Sequence, residues 1–394
     1  MIYIVILIIL AIPAFLYDIC NLERGKTGFL VLEFILLVLL AGLRYRVGGD
    51  TLIYMFLFDN YPSLGELQYF DFSEAEFNPL WYIFNAVIIS CGGDFITFQI
   101  IHAIIVNSVF FWFFRKHTAF YFSAILMYYF GYYVLFNMEV LREALAVCCF
   151  MIAYPLYSQK KYVKYYLCCI VAVSIHWSAL FMLLIPLFSF ILKNFKVKHL
   201  IIVEIALGVF LAGISIIPLI LDVFSFNYLV SLKLERYAEM EVNIMNTLFY
   251  YVFTVPFILL LYFNNREENT DFQLRNMHSL VTLFVVLMVF SAFYNIIFSR
   301  LTNYLIPFVI LYIVESVKYL NMRYKENIIY SFVIKMALVI ILFFQSYYYW
   351  KTQLESMPDT KFYVLFHPYH SIFDPQIDKN REVFFENLRE TSDF

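Results

Sequence analysis

Charge is what this sequence has least of. Of its 394 residues only 14% are Asp, Glu, Lys or Arg, where soluble domains carry roughly 25%. It also has no basic block and no finger motif, so nothing in it speaks for nucleic acid. HExxH, DxD and cysteine–histidine sets are missing, and no metal or other cofactor is expected. There is no P-loop, so ATP is not the energy source. The six cysteines form no CxxC. Cys148–Cys149 and Cys168–Cys169 lie inside apolar runs, and adjacent residues on a helix point apart, so neither disulfides nor zinc are expected. The apolar stretch 2–17 lacks the positive region of a cleaved signal and reads as a retained span. No internal repeat, linker or second domain is visible.

What the chain has is apolar length. It is 63% hydrophobic and 21% aromatic, with a mean hydropathy of +0.77. Many runs approach the ~20 residues that cross a bilayer core as a helix. Lipid offers backbone groups no partner, so spans are helices or closed barrels. Long continuous runs exclude the short alternating strands of a barrel. The expected class is an all-α polytopic membrane protein with about 11–13 transmembrane helices. Candidate spans are 2–17, 28–43, 79–93, 96–114, 119–136, 140–157, 162–175, 177–192, 199–220, 246–263, 278–298, 301–320 and 329–349. They form one membrane domain, 1–350, with external loops at 44–78 and 222–245 and a polar C-terminal tail at 351–394.

The basic loops at 115–117, 159–164, 193–199, 264–275 and 321–325 belong in the cytoplasm by the excess of Lys and Arg there. If Arg44–Asp50 lies outside, one element before Arg115 must fail to cross. The short 79–93 run, opened by Pro79 and closed by Gly92–Gly93, is the best candidate. The alternative puts Arg44–Asp50 in the cytoplasm. Residues 162–192 are short for two spans, which points to a break at Ser174–Trp177.

Arginines sit at the wrong depth. Arg44, Arg46, Arg142 and Arg300 lie at or just inside the ends of apolar runs, with Asp50, Glu143 and His176 at similar positions. Such residues are expensive in a membrane and mark polar cavities. Together they suit a strongly anionic ligand, because the guanidinium fork matches phosphate oxygens and stays charged. In RYRVGGD (44–50) the paired glycines allow a tight turn between two arginines and a carboxylate. The bland alternative is a set of arginines anchored at the headgroups. His176, in SIHWSAL, is either a packed residue or a base. In SRLTNY, Arg300 and Tyr304 are four apart and share a helix face.

These residues carry a resemblance. GLRYRVGGDTLIYMFLF (42–58), EFNPLWYIF (76–84), VLREALAVCCFMIAYPLY (140–157), SIHWSAL (174–180), SRLTNYLIPF (299–308) and HPYHSIF (367–373) resemble, in that order, the EpsG family. That family is similar to Wzy-type polysaccharide polymerases. The EFNPLW piece departs from the family pattern, with Phe77 where glycine is expected after Glu76. The resemblance implies a GT-C-like architecture and assembly of extracellular, capsular or O-antigen-like polysaccharide. Its substrate would be a repeat unit on undecaprenyl diphosphate, both donor and acceptor, at the outer face of the bacterial inner membrane. A chain-length regulator and a flippase are the implied partners beside membrane lipid. Carried over, the site residues are Arg44, Arg46, Asp50, Tyr54, Glu76, Arg142, Glu143, His176, Arg300 and Tyr304.

The chemistry then follows from charge. Arg44, Arg142 and Arg300, with Arg46 in support, stabilise the charge growing on the departing diphosphate. Asp50 is the first choice of base, His176 the second and Glu143 the third. Tyr54 and Trp81 are expected to stack on the sugar rings. An O-antigen-type ligase would use the same donor with a different acceptor. A flippase would need the basic cavity but no base. A membrane O-acyltransferase would need an acyl-donor route, for which nothing else speaks.

Overall fold

The computed structural model describes residues 1–72, 75–192, 197–213, 244–265, 272–323, 343, 346, 347, 350–354 and 357–391. Nearly all of the expected span 329–349 and most of the 222–245 loop lie outside them. The chain is mostly helical, as a helical membrane protein requires. It divides into two compact units, residues 1–179 with 342–394, and residues 180–341.

The first unit opens with α1 (Ile2–Pro13), which runs into a π-helical turn, Ala14–Ile19. Then come α2 (Lys26–Gly42), α3 (Thr51–Asp59), α4 (Pro79–Ser90), α5 (Phe95–His117) and α6 (Tyr121–Gly131). A second π turn, Leu135–Glu139, leads into α7 (Leu141–Ser158) and α8 (Tyr162–Val173). Local chemistry sets several ends. Asp94 caps α5 by accepting from Thr97 N at 2.8 Å, and Arg115, Lys116 and His117 sit at the negative end of that helix. Pro79 occupies the first turn of α4, where its missing N–H costs nothing.

Among the described residues, three helical segments are long and apolar enough to cross a membrane: Ile2–Ile19, Phe95–His117 and Leu141–Ser158. A fourth is the pair Ile297–Asn303 and Ile306–Leu320, bent by 53°. Six others are apolar but shorter, so among the described residues the expected spans are not all unbroken full-length helices. Outward faces are apolar at helical spacing, as at Ile4, Ile8, Ile12 and Phe15 of the first segment.

The core sits where α5 meets its neighbours. Phe98, Phe110, Phe113 and Phe114 are fully buried, and Phe110 stacks on Tyr128 of α6 at 4.2 Å. Gly42 lets α2 close on α5: a Cβ there would stand 2.9 Å from Ile100 Cγ1.

At the front of the chain the short 79–93 run forms a short helix. Helix α4 has 12 residues, about 18 Å against a hydrocarbon core of about 30 Å. Trp81 and Phe84 of α4, and Phe58 of α3, all pack on Phe98 in the first turn of α5. Tyr45, Arg46, Asp94 and Phe95 line one small cavity. The 44–50 turn and the start of α5 therefore share one end of the unit. Residues 20–26 and 115–121 share the other, where Lys26 Nζ lies 5.3 Å over the Tyr121 ring.

Two exposed thiols test this. Cys91 lies at the first end and Cys20 at the second. A membrane-impermeant maleimide applied to sealed vesicles is expected to label one and spare the other until the membrane is opened. Equal labelling of both from one side would refute the assignment of ends.

In the second unit, α9 (Leu180–Leu192), α10 (Val197–Gly213), α11 (Ile244–Asn265), α12 (Phe272–Phe293), α13 (Asn295–Asn303) and α14 (Ile306–Arg323) follow in order. Helix α12 packs against α11, α13 and α14.

After the second unit the chain returns to the first. There β1 (Gln353–Leu354) and β2 (Met357–Lys361) pair antiparallel, and α15 (Lys379–Thr391) ends the described chain.

Candidate functional site

The RYRVGGD turn is built from its own arginine outward. Arg44 is 1% exposed. Its Nε donates to Val47 O at 3.1 Å and its Nη1 to Ala41 O, so the guanidinium staples the end of α2 to the turn. Nη2 is buried without an acceptor. Burial lowers the guanidinium to about 10, opposed by Tyr133, Tyr369 and Glu139 nearby, and it stays charged at neutral pH. Gly48 takes a φ of +121°, open to glycine and resisted by side chains. Thr51 Oγ1 donates to Val47 O at 2.8 Å and closes the turn.

Arg46 holds a φ of +54°, uncommon for a residue with a side chain. The C-terminal segment explains it. Arg46 Nε and Nη2 donate to Glu382 Oε1 and Oε2 at 2.9 and 2.5 Å, a two-pronged pair, and Arg381 Nη1 donates to Arg46 O at 3.3 Å. Residues 365–372 lie along the same turn. Gly48 N donates to Leu365 O, Tyr45 N to His370 O, and Ile372 N to Leu43 O, all at 2.9–3.0 Å. The tail that reads from sequence as a polar extension is thus a clasp on the first motif.

A carboxylate closes the turn from the other side. Glu139, last residue of the second π turn, accepts from Gly49 N at 2.7 Å. A Cβ on Gly49 would stand 2.8 Å from Glu139 Oε2, so a side chain there would displace the carboxyl. Burial, and the Asp50 carboxylate beside it, hold the Glu139 carboxyl well above the usual range; the Gly49 N–H and Arg44 pull the other way. Asp50 is half-buried. It precedes α3 without its side chain capping that helix.

Three residues after Glu139 comes Arg142. Its guanidinium lies 3.8 Å over the Phe77 ring, which fixes its plane. Its Nε is buried and meets no acceptor. An aromatic chain joins it to the Asp50 side. Tyr54 packs edge-on to Trp81 at 5.9 Å, Trp81 Nε1 donates to Tyr61 OH at 2.9 Å, and Tyr61 packs on Phe77. Tyr54 and Trp81 are 8% and 1% exposed. This corrects the expectation that they stack on a sugar: neither offers an open ring face. The exposed rings of this loop are Tyr69 and Phe72.

Glu143 is 1% exposed, on the packed face of α7, whereas Arg142 is half-exposed. Residues 76–80 dock on the break after α8. Asn78 Nδ2 donates to Val173 O at 2.7 Å and Leu80 N to Ser174 O at 2.9 Å. Glu76 is half-buried beside that contact. At the break, His176 Nδ1 accepts from Ser178 N at 3.2 Å and lies 2.6 Å from Ser178 Oγ. With Nδ1 accepting, the ring proton belongs on Nε2. That tautomer makes Nε2 a donor, suited to an anion rather than to taking a proton.

Arg300 and Tyr304 belong to the second unit. The helix they were expected to share ends between them: α13 stops at Asn303, and Tyr304 forms its cap. Arg300 is half-exposed, while Tyr304 is fully buried and packs on Phe181 at 6.3 Å.

Sequence reasoning missed Glu139 and the clasp. Glu139 stood in view, a carboxylate inside an apolar stretch three residues before Arg142. Glu382 carried no such signal, being 336 residues from its partner.

A family model described as the EpsG family matches residues 28–367. The match takes in the 44–50 turn, Glu139, Arg142 and the start of the clasp. No curated protein and no solved structure matches the chain.

Proposed function

The chain belongs to the EpsG family of Wzy-like polymerases, and from that premise we propose that it polymerises a lipid-linked repeat unit. Membership itself carries a polysaccharide polymerase-like role in a membrane. The finer reading is ours. A glycan leaves undecaprenyl diphosphate and joins the sugar of another lipid-linked unit, at the outer face of the bacterial inner membrane, in a GT-C-like architecture. A chain-length regulator and a flippase act beside it.

One observation carries this reading. At one end of a single helical unit, a guanidinium stacked on Phe77 with a buried, unanswered Nε stands three residues from a carboxyl that touches the Asp50 turn. That is a cation for a leaving diphosphate, beside the turn that carries Asp50, the carboxylate for an acceptor hydroxyl. The acceptor oxygen bonds to the anomeric carbon, the bond to the diphosphate breaks, and Asp50 takes the hydroxyl proton. Arg142 is the principal diphosphate ligand, with His176 Nε2 as a second donor. Arg44 acts through the turn it staples. Arg46, held by Glu382, is a supporting cation. Arg300 keeps its assignment on sequence grounds alone.

Lipid-linked glycans from cells lacking the protein test the reading. The expected result is a single repeat unit accumulating on the outer leaflet with no polymer. The unit on the inner leaflet would mean a flippase, and finished polymer still on its lipid would mean a ligase.

A further inference from the structure

The paired carboxyls at the turn carry a further step, which rests on Asp50 being the base. We propose that Glu139 is a positioning residue for the transfer: it fixes the bare 48–50 backbone and shares one proton with Asp50, so that the pair works with a single negative charge.

The geometry is specific. Glu139 ends a π turn in which Val140 N bonds to Leu135 O at 2.9 Å; such turns break a helix and re-aim the residue within them. It is 7% exposed, yet it lies against main chain rather than against a cation of its own. Its Oε1 takes the Gly49 N–H, and both glycines are needed to let the carboxyl approach. Asp50, the residue after Gly49, and Arg44 are its charged neighbours in the turn. From the clasp, Leu365 lies against Gly49, Arg381 and Glu382 reach Arg46 of the same turn, and Tyr369 lies near Arg44. Two carboxyls set side by side near one guanidinium favour holding one proton between them.

The consequence is chemical. With one proton on the pair, Asp50 accepts the acceptor hydroxyl's proton and the pair becomes neutral as the diphosphate dianion forms. With no proton on the pair, two negative charges would stand near that dianion and oppose its formation. Activity therefore falls as pH rises through the upper titration of the pair. Glutamine at 139 cannot ionise, but its amide oxygen still accepts from Gly49 N. A purely structural role for Glu139 would be satisfied by it.

The test uses membrane vesicles that hold their own lipid-linked repeat unit, with polymer read across the neutral and alkaline range. For Glu139→Gln we expect polymer at neutral pH and an alkaline limb moved up by roughly one pH unit or more, the threshold at which two sites count as coupled. Glu139→Gln with the wild-type alkaline limb would overturn the proposal. If that variant fails to reach the membrane, Glu139→Asp replaces it: a carboxyl drawn back from Gly49 shifts the limb, and an unmoved limb overturns the proposal equally. Asp50→Asn separates the layers. Polymer from that variant refutes Asp50 as base, and with it this step. No polymer from it, beside an unmoved limb in the position-139 variant, refutes the Glu139 role alone.

Discussion

Arg142→Ala is expected to abolish polymer while the protein stays at normal level in the membrane. Removing one preorganised donor from a site where charge develops costs about 10²–10³ in rate, which is enough to leave only unpolymerised units. The fold should tolerate the change. The guanidinium lies on the Phe77 face, and its Nε meets no acceptor, so alanine leaves no carbonyl or carboxylate there without a donor. Arg142→Lys is expected to fail nearly as badly. A lysine has the charge but neither the plane that stacks on Phe77 nor the fork that grips two phosphate oxygens. Gel profiles of lipid-linked glycan, with an immunoblot of the membrane fraction, read both variants. Polymer of normal length from Arg142→Ala would end the diphosphate assignment.

Asp50→Asn is the second large effect. It keeps size and polarity and removes the base. General-base catalysis contributes about 10²–10⁴, so polymer should again be lost. Asparagine keeps the main-chain contact of residue 50 to α3, its carbonyl accepting from Tyr54 N at 3.0 Å. Normal polymer from Asp50→Asn, alongside none from His176→Ala, would transfer the role to His176 and contradict the tautomer read from its Ser178 contacts. Glu143→Gln should affect stability more than rate, since Glu143 is buried on the packed face of α7.

Read alone, the sequence determined the solvent and the class of fold. Sixty-three per cent apolar residues in long runs leave helices in a membrane as the arrangement that satisfies the backbone. It also marked the ends: Arg44, Arg142 and His176 were legible because a charge or an imidazole stands out against apolar neighbours. The weak 79–93 run, bounded by Pro79 and paired glycines, stood out as the run least suited to cross. These are local signals, read within a turn or two of helix.

Tertiary structure decided which of those residues meet, and what each is free to do. Arg44 and Arg46 look alike in RYRVGGD, yet one is spent on its own backbone and the other on Glu382 at the far end of the chain. Tyr54 and Trp81 look like a sugar platform and are buried against each other. Glu139 gains its place only because Gly49, 90 residues earlier, brings bare backbone against it. Hydrophobic period and composition report which face of an element is apolar. They carry no record of which distant segment closes on which, because that depends on how whole helices pack and on where the chain returns.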